Sequence, residues 1–62
     1  MKKSITIPGT NIEITVNNAD EMNMIYQRLH GWNDLVIDGE MHKSDTRYWW
    51  TRSAFEAKYF AK

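Results

Sequence analysis

"DLVIDGEMHKSDTRYWWT", residues 34–51, is the stretch on which the architecture turns, because it can form a hairpin in two ways. Leu35-Val36-Ile37 is short, apolar and β-branched, which predicts a strand at about 34–38. A tight turn at Asp38-Gly39 would send the chain straight back from Glu40. The wider alternative loops through "MHKSD" and places the returning strand at "TRYWWT", whose residues favour extended backbone. No alternating run follows Gly39 at once, so the wider loop is expected, with a bulge at Gly39. In that strand Tyr48 and Trp50 share the core face, and Arg47, Trp49 and Thr51 share the other. Trp49 is then expected to face water.

Upstream, "SITIPGTNIEITV" (4–16) alternates with period two, the mark of half-buried strands. Pro8-Gly9 interrupts it with turn chemistry. Pairing Ile7 with Ile12 and Ile5 with Ile14 puts the isoleucines on one face and leaves a loop at Pro8–Asn11. In "NNADEMNMIYQRLHG" (17–31) the period changes. Asn18 can cap, Glu21 completes an approximate capping box, and Met22, Ile25, Tyr26 and Leu29 fall on one helical face. A helix over about 19–30 follows, with Gly31 as a left-handed stop. Met22 and Met24 are expected to fill gaps in the core, and Trp32 to cover its end. Downstream, Ser53 and Glu56 form a second capping box before Phe55 and Tyr59, predicting a helix over 53–61. The order ββαββα implies an α+β domain: a four-stranded antiparallel sheet with two helices packed on one face.

With 62 residues there is material for a single domain spanning 1–62. A chain this small ordinarily needs a staple, and without cysteine a disulfide is excluded. Eight aromatics packed together, or an interface with another chain, must supply the stability. The longest aliphatic run has three residues, far short of the ~20 of a spanning helix, and no apolar segment follows Lys2-Lys3. A cytoplasmic chain without membrane contact is expected. Net charge is zero, but residues 11–42 hold six acids against Arg28 alone, between more basic ends.

Catalytic and metal chemistry is sparse. His30 and His42 are the only histidines and read as solvated turn or loop residues. Asp34, Asp38, Gly39 and Asp45 copy four positions of a calcium loop, but Val36 and the final aspartate break the ligand set. Ser44 lies near His42 and Asp45 in sequence, yet one loop does not hold a rigid relay. The three glycines are isolated, so no phosphate loop exists. No catalytic residue, metal or cofactor is expected, and the chain is read as a non-enzyme.

"LVIDGEMHKSDTRYWWT" (35–51) resembles the wing of a winged-helix domain, with the helix ending "YQRLHG" where a recognition helix would stand. That resemblance implies DNA binding. The chain departs from the pattern in opening with a hairpin and in starting that helix with Asp20-Glu21, which phosphates repel. Nucleic acid is therefore the alternative partner. The leading expectation is a protein-binding module, its partner a host protein or a second copy in a homodimer. Its partner-binding residues would be Trp49 and Arg47, which are hot-spot types, with Asp34, Asp38, Glu40 and Glu13 as an acidic surface. Chain size suggests a small phage or mobile-element inhibitor of a host defence nuclease, of the anti-CRISPR or anti-restriction kind.

Overall fold

The computed structural model describes residues 2–45, 47 and 49–61. Its elements follow the order expected: β1 (Lys3–Thr6), β2 (Glu13–Val16), α1 (Ala19–Leu29), β3 (Leu35–Ile37), β4 (Glu40–His42) and α2 (Arg52–Phe55), which widens into a π-helical segment, Glu56–Phe60. The strands form one antiparallel sheet in the order β2-β1-β3-β4. This is the α+β architecture of two helices on a four-stranded sheet.

The first hairpin has the register that its alternation demands. Ile5 lies opposite Ile14, and the Ile7 amide donates to the Ile12 carbonyl at 3.2 Å. Thr10 closes the loop by donating its hydroxyl to the Ile7 carbonyl at 2.7 Å. Asn18 caps α1 by accepting from the Glu21 amide at 2.9 Å, and the Glu21 carboxylate reaches back to the Asn17 amide at 2.7 Å. The box is thus shifted by one residue: it satisfies one amide that the helix start leaves unpaired, that of Glu21, and the amide just before the cap, that of Asn17.

The second hairpin takes the other of its two geometries. Asp38 and Gly39 both have positive φ, 52° and 85°, as in a two-residue type I′ turn. Ile37 and Glu40 flank that turn as partners, so β4 is Glu40–His42 and not "TRYWWT". Trp49 and Trp50 lie outside any strand, and the expected core position of Tyr48 falls outside the described residues. The matched right-handed twist of a primed turn outweighs the β propensity of the aromatic run.

Three further expectations are corrected. Gly31 has no positive φ; the helix ends at His30 in ordinary right-handed geometry. A Cβ at Gly31 would stand 3.1 and 3.2 Å from two carbons of the Trp49 indole, so a larger residue requires that ring to give by a few tenths of an ångström. The cap of α2 is Thr51, whose hydroxyl accepts from the Ala54 amide at 3.2 Å, while Ser53 lies inside the helix. Both histidines are buried, not solvated: His30 is 3% and His42 8% exposed.

By strand alternation Ile5, Ile14, Val16, Leu35, Ile37 and His42 point to the helices. Among them Ile5, Val16, Leu35, Ile37 and His42 are buried, and they pack with Ala19, Met22, Tyr26, Phe55 and Tyr59 from the helices. Ser4, Thr6, Glu13, Thr15, Val36 and Met41 form the uncovered face of the sheet. The helical side is dominated by rings. Phe55 is fully buried, 4.9 Å from Tyr26 edge-to-face and 5.3 Å from Trp50 in a stack. Efficient aromatic packing is what this domain has in place of a covalent staple.

Candidate functional site

Tyr26 and His30 stand one helical turn apart on α1, and their rings stack at 4.2 Å. The His30 Nε2 lies within bonding reach of the Lys43 carbonyl oxygen, which can only accept, so Nε2 carries the proton. Its Nδ1 is buried with no hydrogen-bond partner. His42 on β4 bonds through Nε2 to the Tyr59 hydroxyl at 2.7 Å and meets the Trp50 ring at 4.7 Å. Burial lowers the His42 pKa below its ordinary 6.5, helped by the charges of His30 and Lys58 and opposed by Glu40. Burial, with the Glu40 and Asp38 carboxylates, raises that of Tyr59.

A cavity of about 290 Å³ opens beside these rings, with Glu40, Lys43, Lys58 and Trp50 also on its wall. The unpartnered Nδ1 is out of reach of solvent, so it does not face that opening. The other imidazole contacts hold protein groups together. Among the described residues, no group of three histidine, cysteine or carboxylate side chains is placed to hold a metal ion. This cluster is a packing and hydrogen-bonding centre between α1, β4 and α2.

The surface tells more. Trp32, expected to cover the core, is 89% exposed. The Trp32 and Asn33 amides still donate to the Leu29 carbonyl, so the chain stays coiled beyond α1. Met24, Arg28 and Trp32, each four residues apart, therefore line the outer surface of this helical stretch. Met24 is 49% exposed, and Arg28 has no ion-pair partner among the described residues. The turn carrying the indole is braced from below. Asp34 accepts from the Ser44 amide at 2.7 Å, and the half-buried Trp49 packs against Gly31 and meets the Tyr26 and His30 rings edge-on.

Of the six residues singled out in the sequence, Asp34 and Trp49 support this corner, and Arg47, exposed, is two residues from Trp49. The other three lie apart. Asp38 sits in the β3–β4 turn, ion-paired to Lys3 at 3.3 Å. Glu40 pairs with Lys58 at 3.2 Å, and Glu13 is on β2, at the opposite edge of the sheet. With Asp20 paired to Arg52 as well, three of the six central acids are met by bases from the flanking segments. From sequence Trp32 is assigned to the end of the core rather than to a contact, and Arg28 is given no role. The signal available was their spacing from Met24, on the side of the helix away from Met22 and Tyr26.

Comparison with protein-family models, curated proteins and solved structures finds no match to this chain. No helix among the described residues is long and apolar enough to cross a membrane.

Proposed function

We propose that this chain is a non-enzymatic protein-binding module that engages its partner through the corner at Trp32. The observation that carries the reading is an indole 89% exposed on a braced turn. Leaving so large an apolar ring in water costs roughly 1.5–3 kcal/mol relative to burial, and fold stability does not account for its placement. Tryptophan, arginine and methionine are the residue types enriched at the centres of interfaces. The complementary partner offers an apolar cleft for the indole and carboxylates at its rim for Arg28 and Arg47.

This surface replaces Trp49 and the acidic residues as the proposed contact. Trp49 lies against Gly31, and Asp38 and Glu40 are already paired. The inhibitor form of the reading, directed at a host defence nuclease, rests on chain size and draws no support from the geometry.

The test compares Trp32→Ala with the unaltered chain in pull-downs from the native host. Thermal stability is expected to change little, within ~0.5 kcal/mol for a surface position. A partner held by the unaltered chain is expected to be lost from the variant. Equal capture by both, or capture of nothing by either, refutes the assignment.

A further inference from the structure

The sheet has two open edges, and they are not equivalent. Ile12 gives its carbonyl to Ile7, so by alternation the backbone groups of Ile12, Ile14 and Val16 point toward β1. Those of Glu13 and Thr15 point outward, where nothing among the described residues pairs with them. On β4 the pairs Ile37–Glu40 and Leu35–His42 use the groups facing β3, which leaves Met41 alone outward. The β2 edge therefore offers two residues in register, the minimum for a ladder. It also carries incompletely covered apolar side chains. Ile12 is 49% exposed and Ile14 half-buried. Asp20 and Gln27, bonded to Arg52 and Trp50, mark the flank of α1 that faces α2. A helical wheel places Ile25, also half-buried, on the opposite flank.

We propose that the chain forms a two-fold homodimer in which β2 pairs antiparallel with β2 of a second copy, with Ile14 on the axis. The sequence of this edge selects the register. With Ile14 opposite Ile14, Glu13 stands opposite Thr15 on each side of the axis. Those are the residues whose outward groups exchange hydrogen bonds, giving two bonded pairs around a close isoleucine contact. Ile12 then meets Val16 of the second copy on the helical side, and both sheets keep their helices on the same side. Shifting the register so that Glu13 opposes Glu13 sets like charges against each other. A shift by an odd count sets a core-facing residue against one from the uncovered face and buries no isoleucine pair. The product is one continuous eight-stranded sheet with the exposed β2 edge removed.

Sedimentation equilibrium on the full chain, over a concentration series up to the sub-millimolar range, tests this. The expected limit is twice the 7.4 kDa chain mass. Thr15→Pro removes an amide that β1 does not use, and is expected to give a monomer with an unchanged circular dichroism spectrum. Thr15→Glu places two like-charge pairs across the axis and is expected to raise the dissociation constant ~10-fold or more. Adding Glu13→Lys to it converts both to opposite-charge pairs and restores association. A chain that stays monomeric throughout overturns the proposal. So does a dimer that folded Thr15→Pro leaves intact, or a double variant no tighter than Thr15→Glu alone.

Discussion

Gly39→Ala isolates a single physical term. At this position φ is 85°, and an added Cβ would meet nothing within 4 Å. The substitution therefore neither fills a gap nor causes a clash; it asks an L-residue to hold a left-handed backbone. That costs ~1–2 kcal/mol. Loss of unfolded-state freedom returns ~0.4–1 kcal/mol, leaving a net destabilisation of about 1 kcal/mol. For a domain of this size, that moves the midpoint of thermal unfolding down by ~4–8 °C. Asp38→Asn is the matched control. Asparagine is favoured at the first position of such a turn, and the lost pair to Lys3 is exposed, worth ~0–1 kcal/mol. The control is expected to unfold close to the parent temperature. Circular dichroism melts of the three proteins decide the matter. If Gly39→Ala melts with the parent, residues 38–39 are not in a tight primed turn, and the wider hairpin through residue 45 regains its place.

Other outcomes follow from the same packing. Phe55→Ala empties the centre of the ring cluster and should cost ~3–5 kcal/mol, against a total of ~3–9 kcal/mol for a chain of this length, so its urea midpoint should fall steeply, by about a third or more. Thr51→Ala should cost ~1 kcal/mol and Ser53→Ala almost nothing; the reverse order in denaturation midpoints would restore Ser53 as the cap. His42 has a lowered folded pKa, so the unfolded chain takes up its proton first. Stability from this group is complete above 6.5 and falls as pH drops below it, visible as a falling urea midpoint that His42→Phe flattens. Tyr59 has a raised pKa, so its contribution is complete below its ordinary 10 and is lost as pH climbs beyond it.

Where one chemical signal dominated, the sequence was readable. Alternation on both sides of the Pro8–Asn11 loop admitted one register, and Asn18 with Glu21 marked the start of α1. The second hairpin was misread because β4 is only three residues long, too short to show alternation. Its turn did carry a strong cue, since Asp-Gly favours successive positive φ. The histidines were legible too. His30 continues the line of Met22 and Tyr26 at four-residue spacing, and His42 falls inward once it is set opposite Leu35. What local pattern did not reveal was the use of the tryptophans. Trp49 and Trp50 pack because rings from α1 and α2 converge on them, while Trp32, just past the end of α1, stays 89% exposed.

β1 is an interior member of the sheet, paired on both sides. Here removal of residues 3–6 would separate β2 from β3, which meet only through β1, and strip Ile5 from beneath the helices. Synthesis in chain order leaves β1 with one side unmatched until β3 has emerged, so the centre of the sheet closes only after α1 has been made.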